Sequence, residues 1–311
     1  MKTIILFCGL FCLLMQPGAH AQDSGAIYQA DPAIFQHKGT YYLYGTETVK
    51  TGFQVYTSKD LRHWQLSEQN NGYALHEGDA FGTDGFWAPQ VFLYKDTFYM
   101  AYVANEKIAI ATSASPLGPF KQVVKQPLAA PVRQIDPFVF IDTDGKKYLY
   151  HVRVKDGNRI FVAEMTDDMS AIKPATLQEC IAATEPWENT ANAKWPVAEG
   201  PSVFKHKGLY YLVYTANDFR NPDYAVGYAT SKSPLGPWKK HSGNPILNKT
   251  MVGHNGTGHG DFFRDTRKGL QYVFHTHFSP TRTGPRRTAV IKASLGNTLT
   301  FDAGSFHFLS K

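Results

Sequence analysis

A five-fold internal repeat constrains this chain more than any other feature. A short apolar strand ending in Phe is followed by a turn and an aromatic-rich strand, and the pattern returns five times. The first copy is Asp31-Pro32-Ala33-Ile34-Phe35 with Tyr41-Tyr42-Leu43-Tyr44. The second is Ala88-Pro89-Gln90-Val91-Phe92 with Phe98-Tyr99-Met100-Ala101-Tyr102, and the third is Asp136-Pro137-Phe138-Val139-Phe140 with Tyr148-Leu149-Tyr150. Gly200-Pro201-Ser202-Val203-Phe204 with Tyr210-Tyr211-Leu212-Val213-Tyr214 follows, then His259-Gly260-Asp261-Phe262-Phe263 with Gln271-Tyr272-Val273-Phe274. The Phe anchors stand 57, 48, 64 and 59 residues apart. A third strand is expected in each copy, at 53–57, 108–112, 160–163, 224–230 and 288–293, with a polar turn and a short outer strand after it. Repeats of this length, built from strands, mark a propeller. The expected fold is all-β, a five-bladed β-propeller with four antiparallel strands per blade. One blade cannot cover both of its faces, so the repeated aromatics are expected to pack between blades. A β-sandwich is the competing all-β arrangement, and it does not predict five related units.

With 43% apolar and 14% aromatic residues the chain has enough to bury, which excludes a disordered protein. The net charge of +6 is spread along the chain without a dense basic run, so no nucleic-acid partner is expected. Residues 4–15 are apolar, but a dozen residues fall short of the roughly 20 needed to span a bilayer, so no membrane span is expected. Lys2 before them and Ala19-His20-Ala21 after them read as a secretory signal peptide cut after Ala21. The expected organisation is a signal peptide at 1–21 and a single propeller domain at 22–311, exported to the periplasm or the extracellular space. Cys8 and Cys12 would leave with the signal. Cys180 then has no partner for an internal disulfide and is read as a small buried hydrophobe.

Four residues before each Phe stand Asp31, Ala88, Asp136, Gly200 and His259, with Glu199 one position upstream of Gly200. The first strand of a propeller blade lines the central channel, so these residues should converge at one of its mouths. Acids gathered from three blades raise one another's pKa, and packing alone gives no reason to gather them. A lone Asp-Pro reads as a turn; three acids at equivalent positions do not.

Asp31-Pro32, Asp136-Pro137 and Glu199-Gly200-Pro201, with Phe86-Trp87-Ala88-Pro89 and Gly258-His259-Gly260, resemble the motifs of glycoside hydrolase family 43. The resemblance covers nearly the whole chain after the signal, and that family's fold is a five-bladed propeller. It implies an inverting glycosidase. Asp31 would be the general base and ionised. Glu199 would be the general acid, kept protonated by a raised pKa, with Asp136 modulating that pKa and orienting it. Phe86 and Trp87 are expected to bind sugar, as is His259, which would lie at the channel centre and hold a water or a structural Ca²⁺. One of Arg286 and Arg287 is expected to reach the substrate, and the resemblance favours Arg286. No cofactor is expected to be required. The expected partner is a polysaccharide or oligosaccharide containing arabinose or xylose, cut as by a β-xylosidase, an α-L-arabinofuranosidase or a xylan-degrading enzyme. Exo action is expected, from a pocket walled by loops 69–85 and 181–198; the oligomeric state stays open.

Other readings compete. A retaining fructan-type hydrolase would use Asn-Asp-Pro and a Glu-Cys acid. Glu179-Cys180 is present, but Ala30 precedes Asp31. A non-catalytic carbohydrate-binding propeller need not keep three acids. Glu185 and Glu188 rival Glu199 as the acid, although they lie outside the strand register. His275 and His277 alternate on one strand and would need a third partner to hold a metal.

Overall fold

The computed structural model describes residues 25–265 and 269–311, and the expected signal segment with its cleavage site lies outside them. Strand periodicity decides how each sheet is used. In the strand Leu209–Ala216, Tyr211 and Val213 join one hydrophobic cluster while Leu212 and Tyr214 join another. Successive side chains of a strand point to opposite faces, so one sheet serves two neighbours.

Five antiparallel sheets follow in chain order. Blade 1 holds Ala30–His37, Thr40–Thr46, Tyr56–Ser58 and Gln65–Leu66. Blade 2 holds Trp87–Tyr94, Thr97–Ala104 and Lys107–Ser113, and a single bridge from Thr112 to Lys121 takes the outer position. Blade 3 holds Gln134–Ile141, Lys147–Val154, Asn158–Glu164 and Gln178–Ile181. Blade 4 holds Ala198–His206, Leu209–Ala216, Ala225–Ser231 and Lys239–Lys240. Blade 5 holds Gly258–Asp265, Gly269–Thr276, Arg287–Leu295 and Leu299–Phe308. The first strand of every blade contacts the first strands of both neighbouring blades, which closes a ring around the channel. The five-bladed propeller expected from the repeats is the fold observed.

Each interface between blades has its own hydrophobic cluster. Tyr44, Met100 and Tyr102 fill the first, Val103 and Leu149 the second, Tyr150 and Leu212 the third, Tyr211 and Phe274 the fourth, and Leu43 and Val273 the fifth. Cys180 is only half-buried, at the edge of the third of these clusters, and burial pushes its thiol up.

Blade 1 departs from the repeat. The strand expected over 53–57 is broken at Val55, and Gly52–Gln54 pairs instead with Tyr73–His76. The break is held because the Val55 N–H donates to the Gly72 carbonyl at 2.9 Å and the Val55 carbonyl accepts from Ser67 N–H at 3.0 Å. Residues from the long first loop thus replace a ladder partner. The ring is closed where residues 26–27 meet residues 309–310. Ile27 N–H donates to the Leu309 carbonyl at 3.2 Å, and Ala26 bridges Ser310, which also bridges His63. Among the described residues no helix is long and apolar enough to cross a membrane.

Candidate active site

Proline sets the local geometry of the site. Pro32, Pro89, Pro137 and Pro201 each sit inside the first strand of a blade and have no N–H to give to the ladder. In each of these strands, and at His259-Gly260 in the fifth, the register slips by one residue. The first residue inside the slip has positive φ in all five blades: Asp31 (48°), Ala88 (46°), Asp136 (54°), Gly200 (60°) and His259 (44°). A bulge of this kind bends the strand and re-aims a side chain.

The bulge also frees a backbone N–H from the ladder, and a buried N–H must find a partner. In four blades the preceding blade supplies it. Asp31 N–H donates to His275 Nδ1 at 3.1 Å, Ala88 N–H to Thr46 Oγ1 at 3.0 Å, Gly200 N–H to Asp136 Oδ2 at 3.0 Å, and His259 N–H to Thr215 Oγ1 at 2.9 Å. Gly200 is required on a second count: a Cβ there would stand 2.9 Å from the His259 ring.

The kinks bring the three acids to one cavity, lined also by Trp87, His259, Arg286 and Asn158. Asp31 is clamped by Arg286, whose Nη1 donates to Oδ1 at 2.8 Å and whose Nη2 donates to Oδ2 at 3.3 Å. Such a fork is a strong charge-assisted contact. Burial alone would raise the Asp31 carboxyl. Arg286, then His259 and His275, overcome burial and hold it well below the usual carboxylate range. Glu199 has the opposite environment. Burial, and after it the Asp136 carboxylate, push it up to about 7, against His259, the Tyr224 hydroxyl and the Asn158 amide. Tyr224 donates to Oε1 at 2.8 Å and Asn158 Nδ2 to Oε2 at 3.0 Å. Asp136 is also pushed to about 7, by burial and then by Asp31. Two neighbouring acids raised in this way titrate as a pair, and near neutrality the pair holds back a proton. One carboxylate fixed ionised beside another kept protonated is the arrangement acid–base catalysis requires.

The remaining expected site residues divide. Trp87 is half-buried on the cavity wall, and His259 Nδ1 lies 3.3 Å from Asp31 Oδ1. Arg287 points elsewhere, its guanidinium 3.6 Å from the centre of the Phe308 ring. Phe86 is a correction. It is 1% exposed and packs against Phe53 and Tyr102 in the first inter-blade cluster, so it cannot touch a sugar. Its neighbour Trp87 faces the other way because side chains alternate along an extended chain.

The rival acids are engaged elsewhere. Glu188 is fully buried, accepting from the backbone N–H groups of Thr184 and Glu185, from Tyr214 Oη at 2.6 Å and from Lys240 Nζ at 2.5 Å. Glu185 is exposed at the start of the short 3-10 helix Pro186–Glu188. Glu179 sits on the outermost strand of blade 3, paired with Arg159 at 2.8 Å. His275 faces Asp31, while His277 Nε2 lies 2.8 Å from the Phe219 carbonyl. Ca²⁺ takes six to eight oxygen ligands. Among the described residues no three His, Cys, Asp or Glu side chains are grouped to hold a metal, and His259 brings an imidazole nitrogen already facing an acid. Tyr224, Asn158 and His275 belong to the site and carry no local signal, since Tyr224 comes from just before one strand, Asn158 from the start of another and His275 from near the end of a third.

The sequence model "Glycosyl hydrolases family 43" matches residues 26–294. Among solved structures, an endo-1,4-beta-xylanase from Bacteroides thetaiotaomicron shares 42% identity and a TM-score of 0.85, over 92% of this chain and 97% of that one. The Beta-D-galactofuranosidase xynD of Aspergillus niger is 25% identical, over 81% of this chain and 74% of its own length. The arabinoxylan arabinofuranohydrolase of Bacillus subtilis is 27% identical over 79% of this chain, which spans about half of that relative's length, 53%.

Proposed function

This chain belongs to glycosyl hydrolases family 43 and is a glycoside hydrolase, and from that premise we propose that it cleaves xylose- or arabinose-containing plant polysaccharide or its oligosaccharides with inversion. The observation that carries the reading is the opposite polarisation of two acids in one cavity, Asp31 clamped by Arg286 and Glu199 raised to about 7. Asp31 takes a proton from the attacking water. Glu199 gives its proton to the departing sugar oxygen. Asp136 keeps that proton in place through its charge and orients the strand through the Gly200 N–H. In inversion the two carboxyl groups act once each, on opposite faces of the sugar. The choice of sugar is supported by the xylanase and arabinofuranohydrolase similarities. The N-terminal pattern supports export with cleavage after Ala21, which N-terminal sequencing of exported protein beginning at Gln22 would bear out.

The test is proton NMR of the first product released from arabinoxylan, xylan, arabinan and a β-D-galactofuranoside. The expected product is xylose, arabinose or their oligomers, formed first as the anomer opposite to that of the substrate. Glu199→Ala should abolish most of this release, because general acid assistance is worth about 10²–10⁴-fold. Retention of configuration, or release of galactose alone, overturns the reading.

A further inference from the structure

Among the described residues, only two Phe, Tyr or Trp side chains are strongly exposed: Trp195 at 46% and Phe219 at 38%. Both line the cavity that holds the three acids. Apolar rings left in water beside convergent polar groups mark a binding surface.

Their supports differ. Trp195 Nε1 donates to Asn158 Oδ1 at 3.0 Å, and Asn158 Nδ2 in turn donates to Glu199. Phe219 has the Arg286 guanidinium 4.8 Å from its ring centre, and Arg286 clamps Asp31. The loop carrying Phe219 is fastened by Asn217, whose Nδ2 donates to the carbonyls of Trp187 and Asp223. One ring is therefore tied to the acid side of the site and the other to the base side. The cavity also continues past Phe219. A second cleft shares Thr46, Val49, Phe219, Arg220 and Arg286 with the first and runs on to Tyr28, Glu47 and Gly284.

We propose that the substrate is a run of sugars laid across both clefts, with Trp195 under the unit that leaves and Phe219 under a unit beyond the one being cleaved. This deepens the glycosidase reading and rests on it. The acid must meet the bridging oxygen, so a platform one amide away from Glu199 faces the departing sugar. The base attacks from the opposite face, so the cleaved unit lies between the two rings. A site for a single terminal sugar would end at Phe219, and here the surface goes on, with Glu47 and Arg220 beside it to meet hydroxyl groups. The exo pocket expected from the sequence thereby gives way to an open run of subsites.

The experiment is a ladder of linear xylo- and arabino-oligosaccharides of two to six units. kcat and KM are measured on each for the wild-type protein, Trp195→Ala, Phe219→Ala and Phe219→Trp, with thermal melting to establish that each variant is folded. Wild-type kcat/KM should climb with chain length. Phe219→Ala should flatten the climb through KM, losing about tenfold on the longest members relative to the disaccharide, the size of one aromatic contact. Phe219→Trp keeps a ring and should keep the climb. Trp195→Ala should lose a similar factor at every length. Cleavage with no dependence on length, or an equal loss for Phe219→Ala on short and long chains, overturns this inference alone. No cleavage of any member overturns the glycosidase assignment for these sugars together with it.

Discussion

Asp31 and Glu199 are both buried carboxyl groups a few residues into equivalent strands, yet they face opposite electrostatic neighbours. The difference lies in partners brought from far along the chain: Arg286 lies 255 positions from Asp31, while Glu199 meets another acid. Asp136 is the residue through which this can be tested. After burial it is the largest influence raising Glu199. Glu199 acts while protonated, so activity falls as pH rises through its pKa near 7. Removing a negative neighbour lowers that pKa, and the fall must then come at lower pH. Asp136→Asn should therefore move the basic limb of kcat/KM downward; an unmoved limb with full activity would count against the role. The three acids were legible in the sequence because Asp31 and Asp136 share a register with the Phe anchors and Glu199 stands one position from it. The clamp by Arg286 and the Asn158 amide were not, because a contact between blades leaves no local spacing, and the Tyr224 hydroxyl reaches Glu199 within blade 4 from 25 positions further on. Phe86 was misjudged from its motif: adjacency to Trp87 on an extended chain places it on the opposite face.

At the level of the strand, the bulge is what converts a structural element into a functional one. Its sequence cause is visible in four blades as a proline with no N–H, and in the fifth as Gly260, where a Cβ would collide with the Val273 carbonyl at 1.8 Å. The repeat therefore disclosed the strand order and the position of the acids. It did not disclose the left-handed backbone or the broken strand at Val55, since each depends on a partner from another loop or blade. Gly200→Ala tests the element. Its Cβ would press on the His259 ring while the backbone holds φ at 60°. A left-handed conformation costs an L-residue roughly 1–2 kcal/mol, so the variant should melt at lower temperature and also lose kcat as His259 is displaced. A variant with wild-type melting and wild-type kcat would show that the close approach has no consequence.

Across the described residues, stability is divided among five interfaces, and the one between the first and last blades is sealed by the segments carrying Ile27 and Leu309. Leu309 is buried there in a cluster with Ile27, Val273 and Val290. Leu309→Ala should cost about 3 kcal/mol, as for other buried leucines, and lower Tm by several degrees in a scanning melt. An unchanged Tm would mean that the ring is held without its seal. The five bulges have one more consequence. They turn the propeller into a dial with five stations around one channel, four bearing a side chain and one, Gly200, leaving that part to its neighbour Glu199. Four stations carry a carboxylate, a carboxylate, an imidazole and, beside Gly200, a displaced carboxylate. The fifth, Ala88, carries only a methyl group. The chemistry of such a molecule can be reset one station at a time without redrawing any sheet, and Ala88 is the station at which a further polar group could be added while the present acids stay in place.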